Sequence, residues 1–202
     1  TYPGPYAALS VPALFGPLYN SYGSTVGYQS ISTNPQRPVK NRINGPLSGH
    51  FYTVDPNRLK SAKKIVIVES SICAITLHLA GITAIAILST NNVDAFPLDW
   101  IKPHQQLIIW PDSDEKQQGL KAAATLYHRL VTNNRIAHII DVENMGKDQK
   151  DPNDCVRYAG WSLDTLRTTI TNYHSYNQQL FPTIDAPWIQ NDRELQQLND
   201  LF

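Results

Sequence analysis

The stretch KIVIVE at residues 64–69 carries the clearest structural signal in the chain. Four β-branched residues follow Lys64 without interruption, and an acid closes the run. A short apolar run of this kind is typical of a strand that is buried on both faces of a parallel sheet. A helix is predicted directly after it, from Ile72 to Ala80, and Gly81 ends that helix. We therefore expect the fold to be built around this strand–helix unit.

The same alternation continues downstream. Three further strands are predicted at 83–88, 107–110 and 136–140, and a helix with one apolar face is predicted at 116–131. Strands that alternate with helices indicate βαβ units and a parallel sheet. The predicted fold class is therefore α/β, with a parallel sheet flanked by helices.

The first 60 residues differ from the middle of the chain, because they are rich in Gly, Pro, Tyr and Asn and contain no long helical pattern. Strands at 13–19 and 25–31, joined by a turn at 20–24, predict an antiparallel hairpin outside the parallel sheet. A polar loop is predicted at 34–48. For Tyr22 and Tyr28 we expect packing within the hairpin, with base stacking as the alternative.

The predicted organisation has three parts. Residues 1–60 form a small α+β subdomain that contains the hairpin, residues 61–172 form the α/β domain, and residues 173–202 form a tail or linker. Short helices are predicted at 152–157, 163–170 and 193–201.

Composition limits the classes of function. Lys plus Arg and Asp plus Glu both total 17 in the 202 residues, which argues against a free-standing tight nucleic-acid binder but allows a local basic face. Cys73 and Cys155 form no CxxC pattern, so neither a disulfide framework nor a zinc site is expected, and the expected location is the cytoplasm. No stretch approaches the length of a membrane span. The chain starts at Thr1 without a signal-peptide pattern, which suggests a segment of a longer protein.

Acidic residues follow three of the predicted strands. Glu69 ends the first strand, Asp112 and Asp114 come just beyond the third, and Asp151 and Asp154 follow the fourth. Because ligands of open parallel sheets bind beyond the carboxyl ends of the strands, these carboxylates are expected at one edge. Neighbouring carboxylates repel one another unless a cation such as Mg²⁺ lies between them. Such a metal can polarise a phosphoryl group.

A capping role is the alternative for most of these acids. The sequence DSDE at 112–115 precedes a predicted helix, and early acids both cap a helix and suit its dipole. The sequence DPND at 151–154 can form a turn and a cap in the same way. Glu69 has no such role at the end of an apolar strand. The pattern alone supports a metal site and capping about equally.

These segments resemble the Toprim family, and most closely the catalytic core of DnaG-type primases and plasmid or phage primase-like proteins. The first strand with Glu69 resembles the family's strand that ends in an invariant glutamate. The sequence LIIWPDSDE at 107–115 resembles its Asp-x-Asp motif, and Gly119 resembles the glycine that opens the next helix. The sequence KDPNDCVR at 150–157 resembles its late acidic segment.

The segments 14–29 and 38–42 resemble the subdomain that precedes Toprim in primases and forms part of a basic basin for template and product. Two features depart from the family pattern. Ser70 stands where the family usually has glycine, and a few extra residues, Lys116 to Gln118, precede Gly119. The zinc-binding module and the helicase-contacting domain of primases are not found in this sequence.

The resemblance implies metal-dependent nucleotidyl transfer, with RNA primers made on single-stranded DNA during replication of a chromosome, plasmid or phage. The implied ligands of Mg²⁺ (or Mn²⁺) are Glu69, Asp112, Asp114, Asp151 and Asp154, of which the first three are also catalytic. The candidates for phosphate contact are Arg37, Lys40 and Arg42, with a solvated loop as the alternative. The implied partners are the DNA template, nucleoside triphosphates, and a replicative helicase or a fused helicase domain; no membrane partner is expected.

Two other functions stay open. A Toprim nuclease would use the same carboxylates to hydrolyse phosphodiesters. A catalytically inactive nucleic-acid-binding module of a larger replication protein would use none of them for chemistry, and the neutral net charge and Ser70 favour this alternative.

Overall fold

The computed structural model of the protein describes residues 13–32, 42–43, 48–112, 118–140 and 149–180, with side chains for 16–31, 48–112, 118–140 and 149–171. Asp114, Arg37, Lys40 and the predicted helix at 193–201 lie outside the described residues, and Arg42 is described by its backbone alone. Contacts group the chain into two compact units, 1–167 and 168–202. The sheets and the candidate site belong to the first unit.

The described residues form the following strands: β1 (Ala13–Tyr19), β2 (Thr25–Ser32), β3 (Arg42–Ile43), β4 (Lys64–Val68), β5 (Ala84–Ala86), β6 (Gln106–Trp110) and β7 (Ile136–Ile139). They form the following helices: α1 (Pro56–Leu59), α2 (Ser71–Leu79), α3 (Gln118–Thr132), α4 (Pro152–Arg157) and α5 (Leu163–Leu180). Two 3-10 turns, at Thr90–Asn92 and Leu98–Trp100, lie between β5 and β6.

The central sheet has four parallel strands in the order β5-β4-β6-β7, which confirms the predicted fold class. The connection through α2 leads from β4 to β5 in one direction, and the connection through α3 leads from β6 to β7 in the other. Right-handed crossovers in opposite directions place the two helices on opposite faces of the sheet. The strand order therefore reverses between β4 and β6, which is the position where open α/β sheets bind ligands.

The predicted hairpin is confirmed as β1 and β2, which pair antiparallel in a separate sheet with β3. Among the described residues, Phe51 and Tyr52 link this sheet to the central one through backbone hydrogen bonds. Phe51 exchanges both backbone hydrogen bonds with Tyr19, at 2.8 and 2.9 Å, and Tyr52 exchanges both with Ala86 of β5, at 2.7 and 3.0 Å. Gly16 makes the junction possible, because a Cβ there would overlap the Tyr52 ring.

The hydrophobic core fills the space between the central sheet and its helices. Ile65, Ile67, Leu107 and Trp110 are at most 1% exposed, as the continuous apolar runs predict. Burial of such a side chain stabilises the fold by about 1.5–3 kcal/mol. Among the described residues, no helix combines the length and the apolar character that crossing a bilayer requires.

Three predictions about local structure are wrong. The predicted loop at 34–48 contains β3, because residues 42–43 complete the backbone hydrogen bonding of β2. The helix predicted at 163–170 continues to Leu180, since the first helix-breaking proline after it is Pro182. Tyr22 and Tyr28 are 87% and 56% exposed, so they do not pack within the hairpin.

Candidate functional site

Glu69 and Asp112 lie at the same edge of the central sheet. Val68 and Trp110, the last residues of β4 and β6, are paired in parallel register. Glu69 directly follows Val68, and Asp112 is the second residue after Trp110. Both side chains are partly buried. The two acids therefore stand beside the position where the strand order reverses.

The junction between β4 and α2 is held by Ser70. This residue is the N-cap of α2, and its Oγ accepts a hydrogen bond from the Cys73 amide at 3.2 Å. Its φ of −103° is open to any residue, so the backbone does not require the glycine that the family usually has here. The serine keeps the turn after Glu69 and adds a cap to it.

The junction between β6 and α3 is held by close backbone packing. A Cβ on Gly119 would overlap the carbonyl oxygen of Asp112 and would lie 3.1 Å from its amide nitrogen. Glycine alone therefore lets the first turn of α3 approach the main chain of Asp112. This contact gives the physical reason for the glycine that the sequence resemblance places at this position.

Asp151 caps α4, as the structural alternative predicted. Its Oδ1 accepts a hydrogen bond from the Asp154 amide at 2.7 Å. The Thr76 hydroxyl donates to Asn153 Oδ1 at 3.3 Å and so fastens the start of α4 to α2. The second carboxylate oxygen of Asp151 leaves a metal-binding role open, and that role stays a prediction.

Burial and two nearby carboxylates act on the thiol of Cys73, near the start of α2. Burial raises the pKa of this thiol well above its ordinary value, and the negative charge of Asp151 and that of Asp112 raise it further. Burial, followed by the charges of Asp151 and Asp154, raises the pKa of Cys155 to about 12. The described acids that follow β6 and begin α4 thus act on groups in the same small region.

The donor set suits a hard divalent cation. Glu69 and Asp112 offer carboxylate oxygens, which Mg²⁺ and Mn²⁺ prefer, and a Mg²⁺ site needs only one or two protein carboxylates beside water and phosphate. In the part of the chain that the structure describes, which omits Asp114, no three acids, histidines or cysteines are grouped closely enough to hold a metal. The described residues therefore fit a site with two carboxylates from the sheet edge.

Sequence reasoning missed the turn that follows β5, residues 88–92. Thr90 from this turn and Glu69 line one small cavity, whose other walls include Trp110, Pro111 and Ala122. The signal was present in the sequence, because the polar run STNN at 89–92 follows a predicted strand of the same sheet. The carboxyl end of every parallel strand is a candidate for the site, whether or not it carries an acid.

One protein-family model matches part of this chain, and solved structures share its fold. The model of the Toprim domain family matches residues 64–162, the segment from β4 to the residues before α5. A search of curated protein sequences finds no match.

Solved structures of bacterial primases share the fold. The RNA polymerase domain of Mycobacterium tuberculosis DnaG primase has a TM-score of 0.56 at 17% identity, covering 93% of this chain and 68% of that one. The E. coli primase catalytic core has a TM-score of 0.56 at 15% identity, covering 84% and 57%. A DnaG primase catalytic domain bound to single-stranded DNA has a TM-score of 0.54 at 17% identity, covering 84% and 56%. At such identities the similarity shows the fold alone.

Proposed function

From the premise that this chain carries a Toprim domain, we propose that it catalyses metal-dependent nucleotidyl transfer and makes RNA primers on single-stranded DNA. One observation carries the proposal. Glu69 and Asp112 follow neighbouring, in-register strands at the position where the strand order of the described central sheet reverses. Carboxylates at a sheet edge suit phosphoryl chemistry, which depends chiefly on positioning and on neutralising charge.

We assign Glu69, Asp112 and Asp114 to holding Mg²⁺ or Mn²⁺, and Asp151 and Asp154 to supporting positions. A metal bound here supplies charge neutralisation for the phosphoryl oxygens of a nucleotide. The protein's own part is to fix the two sheet-edge carboxylates. Ser70 does so after β4, and the contact of Gly119 with the main chain of Asp112 does so after β6.

The proposed partners are a single-stranded DNA template and nucleoside triphosphates. Arg37, Lys40 and Arg42 are assigned to phosphate contacts, and Arg42 stands on β3, opposite Ser30 of the hairpin sheet. The junction through Phe51 and Tyr52 supports this assignment, because it fixes the hairpin sheet to β5. A helicase, separate or fused, is the proposed protein partner. The proposed location is the cytoplasm, with which the two free thiols agree.

A Toprim nuclease is the second candidate. The family match starts at residue 64 and does not include the hairpin sheet. The match therefore does not distinguish nucleotidyl transfer from phosphodiester hydrolysis. Both candidates use the same carboxylates, but their products differ in length.

The test uses labelled single-stranded DNA, the four ribonucleoside triphosphates, and Mg²⁺ or Mn²⁺. We expect new RNA chains to appear, dependent on template and metal. Shortening of the DNA without synthesis would replace the proposal with the nuclease. Template binding without either product would replace it with a non-catalytic module. Lys40→Ala and Arg42→Ala serve as binding variants, and each is expected to reduce the salt dependence of template binding by about one counterion.

A further inference from the structure

The turn after β5 has a backbone conformation that its sequence does not favour. Leu88 has φ +63°, a left-handed conformation in which a bulky side chain is strained. Its amide donates to the Glu69 carbonyl at 2.8 Å, one residue after Ile87 donates to the Val68 carbonyl at 2.9 Å. The turn is therefore attached to the main chain of the residue that bears the first candidate ligand. Strain of this kind persists only where surrounding contacts enforce it, and it clusters at functional sites.

Asn92 supplies those contacts. It is 1% exposed, and its Nδ2 donates to the carbonyls of Ile87 at 2.8 Å and His50 at 3.1 Å. Its Oδ1 accepts from the Gly49 amide at 2.9 Å. Ser89 Oγ accepts from the Asn91 amide at 3.3 Å. The turn is thus fixed at both ends, and the residue between these anchors, Thr90, is held in a set position.

Thr90 is half-buried and lines the same cavity as Glu69, together with the last residues of β4 and β6, Val68 and Trp110. No hydrogen bond within the described part of the chain engages its hydroxyl. The rest of the cavity wall is mainly apolar, including Trp110, Pro111 and Ala122. Thr90 thus brings a neutral hydroxyl-bearing residue to the same end of the sheet as Glu69. A neutral donor suits an anionic oxygen, because it adds a hydrogen bond without competing for the metal.

We propose that Thr90 is a substrate-binding residue, whose hydroxyl donates a hydrogen bond to a phosphate oxygen of the nucleoside triphosphate held at the Glu69–Asp112 edge. This inference rests on the proposed function, since it requires a nucleotide at that edge. It adds a third strand end to the site, and the residue involved is neither acidic nor basic.

The test measures binding rather than turnover. ATP with Mn²⁺, and separately inorganic triphosphate with Mn²⁺, are titrated by calorimetry into the wild type, Thr90→Val, Thr90→Ser and Thr83→Val. Thr83→Val is the matched control, because Thr83 lies just before β5, at the opposite end of that strand. Thermal melting of each variant shows whether the fold is intact.

We expect Thr90→Val to bind both probes about tenfold more weakly, as the loss of a hydrogen bond to a charged group implies. Thr90→Ser and Thr83→Val should bind like the wild type. Equal affinity of Thr90→Val and wild type would overturn the inference, as would equal losses in Thr90→Val and Thr90→Ser. A loss seen with ATP but not with triphosphate would exclude a phosphate contact, and a wild type that binds neither probe would also end the proposal.

Failure of the Thr90 inference can be distinguished from failure of the proposed function. If the carboxylate variants abolish primer synthesis while Thr90→Val binds nucleotide normally, the proposed function stands and only the role of Thr90 falls. If Thr90→Val loses nucleotide affinity but the wild type makes no RNA, the binding residue stands and the reaction must be reassigned.

Discussion

The two strand–helix junctions at the candidate site place an acid at the same edge of the sheet by different means. After β4, a side-chain cap from Ser70 starts α2 directly behind Glu69. After β6, Gly119 has no side chain, so the first turn of α3 packs directly against the main chain of Asp112. The first device fixes the turn through a hydrogen bond, and the second fixes it through close packing. The first therefore tolerates substitution better than the second, because lost caps cost less than backbone overlap.

The largest expected effect is on catalysis. It tests whether the acids at both junctions take part in the same reaction. Glu69→Gln and Asp112→Asn keep the size of each side chain and remove its charge. Each should lower primer synthesis at least about 100-fold, because a lost ligand removes charge neutralisation at the phosphoryl group. Asp99→Asn, at an exposed acid in the 3-10 turn that precedes β6, is the control. Full activity in either carboxylate variant would show that its junction is structural only.

The two junctions also differ in how far the sequence predicted them. The run at 64–69 predicted both β4 and the position of Glu69, because a strand buried on both faces leaves an unambiguous apolar pattern. Asp112 was predicted on the same grounds, after the run at 107–110. Capping by Asp151 was foreseen as an alternative, since Pro152 and Asn153 are typical of a helix start.

Other parts of the site could not be read from the sequence. The left-handed Leu88 has no sequence signal, because leucine does not favour that conformation and long-range hydrogen bonds impose it. The reversal of strand order between β4 and β6 is a property of topology, and the alternation of elements fits several strand orders. Helix α5 was predicted too short, because its polar second half lacks an apolar stripe but contains no helix breaker.

A second prediction uses the thiols on either side of the α2–α4 contact as probes of the site's charge. Burial and nearby carboxylates raise the pKa of Cys155 in the folded chain from 9.0 to about 12, and that of Cys73 is also raised. A raised pKa contributes stability that is fully present below the unfolded value and is lost as pH rises toward the folded value. The free energy of unfolding should therefore fall between about pH 9 and pH 12.

Urea unfolding at several pH values measures this fall in the wild type, Cys155→Ala and Asp112→Asn. Cys155→Ala should show a shallower fall over the same range. Asp112→Asn should show a slightly shallower one, because the Asp112 charge acts on Cys73. If the unfolding free energies of the wild type and Cys155→Ala fall in parallel with pH, Cys155 does not contribute to the fall and the prediction is wrong. The buried Tyr52 and the half-buried Tyr127, whose pKa values are raised by burial, add a loss of the same sign in all variants.

The third prediction tests the junction held by packing. Gly119→Ala should reduce the free energy of unfolding by about 1–3 kcal/mol, because the new methyl group overlaps the Asp112 carbonyl and the backbone must shift. Primer synthesis should fall as well, since the shift moves Asp112. Lys121→Ala, two residues along the same helix, is the control for helix propensity. An unchanged urea midpoint in Gly119→Ala would show that α3 does not constrain Asp112.

The smallest effect is expected at the capped junction. Ser70→Ala removes the Oγ that accepts from the Cys73 amide, and it should cost about 1 kcal/mol of unfolding free energy. Ser70→Gly should cost only a few tenths of a kcal/mol, because glycine is itself a tolerated N-cap. Since φ at this position is −103°, neither change strains the backbone, and both variants should keep primer synthesis within about threefold of the wild type. Ser24→Ala, in the exposed hairpin turn, is the control for a serine that caps no helix. A loss of activity in Ser70→Ala as large as that in Gly119→Ala would remove the distinction between the two junctions, because it would show that the cap positions Glu69 as strictly as packing positions Asp112.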